Sequence, residues 1–337
     1  MIPDSDLRAI DAALAAHWPR LDGARIFMTG GTGFIGRWML EALARAPITV
    51  HVTLLTRDPA AFAARAPHLA KRFELVAGDV LNFQVPRGPI DHILHGATDA
   101  SAALTATDPR RMFDTIVTGT RALLDLARET GARFLLMSSG AVYGAQTVPH
   151  VAEDWMGGPD PRDPKSAYAE GKRAAEALTA IHHHQFGVDT VTARIFALLG
   201  PGLSLDTHFA AGNFIRDAIA GRPIRVIGSG QAVRSYLYAA DLATWMWALH
   251  LQAKPGATYN VGSEEAVSIA DLARRTARVL GAPDVEILGR PDPGWNPGRY
   301  VPCTRAIRRD LDLHATVDLD AAIRRTALAN GWIPCPK

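Results

Sequence analysis

Six short apolar or β-branched runs punctuate the first two-thirds of the chain: Ile26–Thr29, Val50–Leu55, Phe73–Val76, His92–His95, Phe134–Met137 and Val188–Ile195. Each has the length and composition of a strand buried on both faces. Between them lie GRWMLEALARA (36–46), PAAFAARAPHLA (59–70), MFDTIVTGTRALLDLARET (112–130) and AYAEGKRAAEALTAIHHHQ (167–185). Their apolar positions recur three and four residues apart, the spacing of one helix face. Strands alternating with helices in this way predict an α/β fold, a doubly wound parallel sheet with helices on both sides. Ahead of it, MIPDSDLRAIDAALAAHWPRLDG sets Asp4, Asp6, Arg8 and Asp11 among apolar residues. That is an amphipathic helical extension over residues 1–20, without the basic start and apolar centre of a secretory signal.

Past about Gly200 glycine and proline become frequent, as in LGPGLSLD, AGRPIRVIGSG and GRPDPGWNPGRYVP. This texture predicts a smaller lobe over residues 200–337, set above the C-terminal strand ends of a dinucleotide-binding unit at 21–199. Ligands bind at those strand ends in open α/β sheets. ATYNVGS (257–263) can return one strand to the main sheet near 257–262.

Composition narrows the function without choosing it. Among 337 residues, 48% are hydrophobic and 21% charged, and the net charge of +2 gives no electrostatic case for nucleic acid or an anionic membrane. No apolar stretch approaches the roughly 20 residues that cross a bilayer. Cys303 and Cys335 lack metal or redox spacing, so a reduced, cytoplasmic setting is expected. His182, His183 and His184 are consecutive on a helix and point about 100° apart, which excludes convergence on one metal ion.

ARIFMTGGTGFIGRWMLEALA (24–44) reads as strand, glycine-rich turn and helix. Gly30, Gly33 and Gly36 allow a tight turn and close approach to a pyrophosphate, whose charge meets the helix N-terminus. The expected cofactor contacts are Gly30, Thr32, Gly33, Phe34, Ile35 and Gly36. The second strand ends in LLTRDP, with Thr56 and Arg57 where an acid would bind the ribose 2′-hydroxyl of NAD. A guanidinium suits a 2′-phosphate, so NADP is favoured over NAD. Asp58 reads as the cap of the following helix.

SAYAEGKRAAE places Tyr168 and Lys172 four apart, on one helix face. A nearby ammonium favours the phenolate and would bring the tyrosine toward a working pKa. A serine ending the fifth strand, Ser138 or Ser139, would complete the set. In MSSGAVYG, Tyr143 is read as a packing residue. With these segments in view, the chain resembles the extended short-chain dehydrogenase/reductases, the branch of NAD(P)-dependent nucleotide-sugar epimerases, dehydratases and ketoreductases. The matching stretches are TGGTGFIG, GDV, SSGAVYG, SAYAEGK and PIRVIGSGQAVRSYLYAADLA.

The resemblance implies that Ser139, Tyr168 and Lys172 are catalytic. Tyr168 would move the proton, Lys172 would hold the nicotinamide ribose and depress the tyrosine pKa, and Ser139 would polarise the reacting oxygen. It implies that Asp79 and Val80 touch adenine. Arg234, Arg299 and Asn213 would grip the diphosphate of a nucleotide sugar. A homodimer through the helices at 110–130 and 167–185 is also implied.

Three positions depart from the resembling enzymes. Gly140 and Ala141 stand where 4,6-dehydratases carry an Asp-Glu pair, Ala197 stands for an asparagine that meets substrate, and Ile116 stands for another asparagine. Removing water needs an acid and a base at the far carbon, which Gly140 and Ala141 cannot supply. A 4-ketoreductase or 4-epimerase of a nucleotide-diphosphate sugar is therefore expected. The alternatives are a 4,6-dehydratase drawing on Glu153, Asp154 or His208, a reductase of a small non-nucleotide carbonyl, and a non-catalytic NADP sensor.

Overall fold

The computed structural model of the protein describes residues 2–98, 102–206, 209–291 and 298–334. All six expected strands form, within two residues of their expected ends. They are β1 Arg25–Thr29, β2 His51–Thr56, β3 Glu74–Ala77, β4 His92–His95, β5 Arg133–Ser139 and β6 Thr190–Ile195, and Ala257–Val261 is β7. The sheet order is β3-β2-β1-β4-β5-β6-β7, with every neighbouring pair parallel. Strand succession reverses between β1 and β4, and this switch point opens the crevice in which such sheets bind ligands.

Both sheet faces are buried, and the period-two alternation sorts side chains between them. Ile26, Met28 and Leu135 enter one core, while Phe27, Phe134 and Leu136 enter the other. The second core is covered by two long helices, Pro109–Thr130 and Ala167–Phe186, packed side by side. Ile116 sits at their contact, where a side chain on Gly171 would come within 3.1 Å of its Cδ1. An asparagine at 116 would bring a polar amide into that apolar seam.

The first core is closed by helices Phe34–Arg45 and Ala239–Gln252 and by the N-terminal helix Asp4–Leu14. Ala239–Gln252 is apolar on nearly every side, as a helix buried all round must be. Its Trp247 donates to the Met39 carbonyl at 3.1 Å and meets the Trp18 ring edge-on at 5.7 Å. Asp6 ties the N-terminal helix down, accepting from the Tyr238 hydroxyl at 2.5 Å and from Arg325 at 2.7 Å. Residues past 200 thus supply both β7 and a central core helix, and packing runs across the compositional boundary.

PAAFAARAPHLA, expected as one helix, is two: Pro59–Arg65 and Pro67–Arg72. Pro67 has no N–H to continue the first helix, and Ala66 before it takes φ −143°. Asp58 caps the first helix, accepting from Ala61 N at 2.8 Å. The chain beyond Gly200 also forms the paired strands Val233–Arg234 and Arg299–Tyr300, with Tyr300 beside Arg234 in register. The Tyr300 hydroxyl reaches Ser139 at the end of β5, which brings this region over the strand ends.

Candidate active site

The glycine-rich turn is shaped by close backbone approaches. Gly30 has φ +73°, and a Cβ there would lie 2.4 Å from the Gly96 carbonyl carbon. A Cβ on Gly36 would lie 2.4 Å from Gly30 O, so the helix starts directly against the turn. Gly33 caps that helix without a side-chain bond, and no acidic residue occupies its first turn. The exposed N–H groups and the helix dipole therefore favour an anion.

The hollow beside the turn, about 240 Å³, is lined by Gly30, Thr32 and Gly33 together with Thr56, Arg57, Asp79 and Val80. Ile35 faces a separate, larger cleft, whereas Phe34 and Gly36 line neither. Arg111, which the sequence reading did not single out, enters the hollow from the start of helix Pro109–Thr130. So does Thr98, whose buried hydroxyl has no partner. A neutral histidine holds the floor. His95 Nδ1 contacts Thr29 Oγ1 at 2.8 Å, and its Nε2 contacts Thr120 Oγ1 at 3.0 Å. The Thr120 hydroxyl donates to Ile116 O and must accept from Nε2–H. Thr29 then donates to Nδ1 while accepting from Ala97 N at 3.2 Å, which pins the 96–97 turn. Burial pushes His95 down to about 3. A cradle that only glycine fits at Gly30 and Gly36, ahead of a helix N-terminus without acidic residues, suits a dinucleotide.

The larger cleft, about 1200 Å³, opens at the ends of β5 and β6. The two serines of β5 separate there. Ser138 Oγ donates to Glu176 at 2.5 Å, and Glu176 also pairs with Arg194 at 2.7 Å. Ser139 is 3.3 Å from the Tyr300 hydroxyl and lies beside Tyr168, whose pKa its hydroxyl lowers. The structure thus brings Ser139, Tyr168 and Lys172 together, on β5 and on helix Ala167–Phe186.

Lys172 is buried and donates to Met137 O at 2.7 Å, with its ammonium 6.0 Å above the Tyr168 ring. Burial lowers Lys172 to about 8, against the opposing pull of Glu176. The expected depression of Tyr168 by Lys172 is corrected here: burial raises the Tyr168 pKa, and only the Ser139 contact opposes it. Desolvation of the phenol is the larger effect, and the ammonium is bonded to a backbone carbonyl. Tyr143 packs as expected, its hydroxyl donating to Asn260 at 2.7 Å and accepting from Arg194 at 2.8 Å.

Arg234 and Arg299 both line the cleft. Arg234 donates to Val233 O at 2.9 Å, and Arg299 donates through Nε to Pro149 O at 2.5 Å. Asn213 does not join them. It lies on helix Ala210–Ile219, accepts from Arg216 at 3.3 Å and lines a separate hollow beside Gly228–Gly230. Two further cleft residues escaped the sequence reading. Tyr300 stacks on Phe196 at 4.6 Å, and Gln146 accepts from Val301 N at 3.0 Å.

Among the described residues lining the cleft, the charged groups are Lys165, Arg234 and Arg299, and there is no carboxylate. Gly140 is enforced sterically, because a Cβ there would lie 2.6 Å from the Phe196 ring. Glu153 is turned away to accept from Asn260 N at 2.8 Å, Asp154 does not line the cleft, and His208 lies outside the described residues. Ala197 does line it. His182 and His183 bond to Leu178 O and Val188 O, and the described residues hold no cluster suited to a metal ion. Cys335 lies outside the described residues, and no described helix is long and apolar enough to cross a membrane.

A dinucleotide hollow opening beside a clustered serine, tyrosine and lysine is the arrangement of the extended short-chain dehydrogenase/reductases, a class of NAD-dependent enzymes. A family profile described as the NAD dependent epimerase/dehydratase family matches residues 26–262, and the chain belongs to that family. It is similar to UDP-glucuronic acid decarboxylase 1 of Xenopus tropicalis, 30% identical over 94% of this chain and 76% of the relative. In structure it resembles a UDP-N-acetylglucosamine 4-epimerase from Methanobrevibacter ruminantium, with TM-score 0.80 and 20% identity over 92% of this chain and 98% of that one. A UDP-glucuronic acid 4-epimerase from Bacillus cereus superposes with TM-score 0.78 and 23% identity, covering 90% of this chain and 98% of that one. These likenesses establish the fold. Together with the family they define a nucleotide-sugar epimerase/dehydratase-type enzyme.

Proposed function

We propose that the protein moves a hydride at C4 of a nucleotide-diphosphate sugar, as a 4-epimerase or a 4-ketoreductase, with NADP favoured over NAD. The observation that carries this reading is the convergence of Ser139, Tyr168 and the buried Lys172 at the wall of a cleft whose charged groups, among the described residues, are all cations. The nicotinamide, when bound, supplies or accepts the hydride. Tyr168 holds the proton that the C4 oxygen gains or loses, and Ser139 donates to that oxygen. A buried phenol with a raised pKa stays protonated at neutral pH, which equips it to donate to a ketone. Lys172 would hold the nicotinamide ribose. Arg234 and Arg299 suit a diphosphate through charge-assisted bonds, and this disfavours a small non-nucleotide carbonyl. Arg57, with Arg111 beside it, supports the 2′-phosphate of NADP.

Dehydration is disfavoured because no carboxylate lines the cleft among the described residues. Decarboxylation is the second reading, supported by the curated relatives. Oxidising C4 of a uronic acid creates a β-keto acid. Its C5–carboxyl bond breaks to release CO2, and the electron pair passes to the enolate without a protein carboxylate. A homodimer is supported by Phe113, Ile181 and Phe186, exposed on the two helices expected to pair.

The test is incubation of purified protein with parent nucleotide sugars and their 4-keto derivatives, followed by mass spectrometry and nicotinamide absorbance. An isomer of unchanged mass, or NADPH consumed on a ketone, supports the reading. Loss of 18 or 44 mass units, as water or CO2, would move the assignment to a dehydratase or a decarboxylase.

A further inference from the structure

Glu176 stands one helical turn after Lys172, on the helix Ala167–Phe186 that also carries Tyr168. Three consecutive residues at the end of β5 meet these three side chains. Met137 O accepts from the Lys172 ammonium at 2.7 Å, Ser138 Oγ donates to Glu176 at 2.5 Å, and Ser139 lies beside Tyr168. Arg194 of β6 holds the Glu176 carboxylate from the other side, donating through Nε to both oxygens at 3.1 Å and through Nη2 to one at 2.7 Å. Arg194 is fixed in turn by donating to the Tyr143 hydroxyl at 2.8 Å and to Glu153 O at 2.9 Å. Glu176 itself does not line the cleft, so whatever it does there it does through a neighbour.

On the reading that Lys172 holds the nicotinamide ribose, we propose that Glu176 is a positioning residue for it: a carboxylate locked by Ser138 and Arg194 one turn behind the ammonium, so that Lys172 meets the ribose as a cation. Lys172 is 3% exposed, and burial of that degree drives an ammonium toward its neutral form unless a negative charge is near. Of the ion pair, the carboxylate is the end that acts on Lys172. The other titratable groups about the ammonium bring no negative charge, since burial keeps Tyr168 protonated and His95 neutral. With Lys172 already lowered to about 8, one charge at this distance decides how much of it is protonated in the neutral range.

The probes are NADPH and NADH, which share the nicotinamide ribose, so the outcome does not depend on a 2′-phosphate. The chain has five lysines, few enough for NMR of isotope-labelled lysine to follow Lys172 once Lys172→Met identifies its signal. In wild type its titration should centre near pH 8. In Glu176→Gln the midpoint should move down by about one pH unit. Fluorescence titration should then show cofactor affinity about fivefold below wild type at pH 8 and within about twofold at pH 6.5, where both proteins keep the proton. Glu176→Gln/Arg194→Gln, which leaves no guanidinium unpaired should the single variant fail to fold, should show the same two changes. A merely structural role would weaken binding alike at both pH values and leave the midpoint in place; either result overturns the proposal. If Lys172→Met binds both cofactors as tightly as wild type, the reading of Lys172 as the ribose ligand falls. If Lys172→Met loses affinity while the Lys172 midpoint stays put in the Glu176 variants, only the role of Glu176 falls.

Discussion

Lys172 is a charge the fold holds at a cost, and Lys172→Met should expose that cost. The side chain is 3% exposed, and burial lowers its pKa from 10.5 to about 8. At about 1.4 kcal/mol per tenfold change in proton affinity, the buried ammonium costs on the order of 3 kcal/mol at pH 7, where both folded and unfolded chains carry the proton. Methionine fills a similar volume without charge. The lost bond to Met137 O offsets about 1 kcal/mol, leaving the variant more stable by about 2 kcal/mol. Between pH 8 and 10.5 the folded protein sheds this proton while the unfolded chain keeps it. Wild-type stability therefore rises relative to the variant across that window, and the advantage should be gone by its upper end. Urea unfolding of both proteins without added cofactor, at pH 7 and at pH 9.5, measures the gap twice. A variant less stable at pH 7, with a gap that does not change with pH, would refute the assignment of Lys172 as a strained buried charge. Cofactor affinity should fall in the same variant, separating function from stability.

Tyr168→Phe should lower kcat by about 10²–10⁴ while leaving cofactor affinity within about twofold, as single-turnover kinetics and fluorescence titration would show. Because the raised Tyr168 pKa keeps the phenol protonated, the ketone-reducing rate should hold through neutral pH and fall only in the alkaline range, read from a pH–rate profile. Arg57→Ala should raise KM for NADPH at least about tenfold and leave KM for NADH nearly unchanged, by steady-state kinetics. Gly140→Asp should destabilise by about 1–3 kcal/mol in urea, because its Cβ meets the Phe196 ring, and should yield no dehydrated product by mass spectrometry.

The strands inside the sheet were legible because they are buried on both faces, so their apolar runs need no partner to be seen; β3, at the edge, is half-exposed. β5 shows this best, with Phe134 and Leu136 in one core and Leu135 in the other. The break at Pro67 was written in the sequence and was overridden by the apolar spacing on either side. The shared helix of Tyr168 and Lys172 was equally legible, since four-residue spacing puts both on one face. Their electrostatics were not, because desolvation depends on what covers a group, and the cover over Tyr168 and Lys172 comes from distant segments. Asn213 was misplaced for a related reason: a motif gives the order of residues along the chain, but the turn of helix Ala210–Ile219 decides which hollow receives each side chain. Arg111, Gln146 and Tyr300 carried no local signal. Tyr300 stands one residue past Arg299, and only pairing with Val233–Arg234 brings it to Ser139.

Gly140 and Tyr300 share one cause. The ring of Phe196 fills the space above Gly140 and stacks on Tyr300 at 4.6 Å, and Tyr300 in turn contacts Ser139. Where an acid and a base would stand beside Ser139, the chain has built an aromatic wall instead. Burial raises the Tyr300 pKa, so its phenol stays protonated and is no base for a carbon next to the reacting one. Its hydroxyl donates to Ile195 O at 3.2 Å, which fixes the ring beside Ser139. Restoring an acid at 140 alone would therefore not restore dehydration, because Phe196 occupies the volume the carboxylate needs. On the proposed reading, chemistry in this cleft centres on the oxygen that Ser139 and Tyr168 would share, and the wall favours a hydride transfer at that one carbon over dehydration.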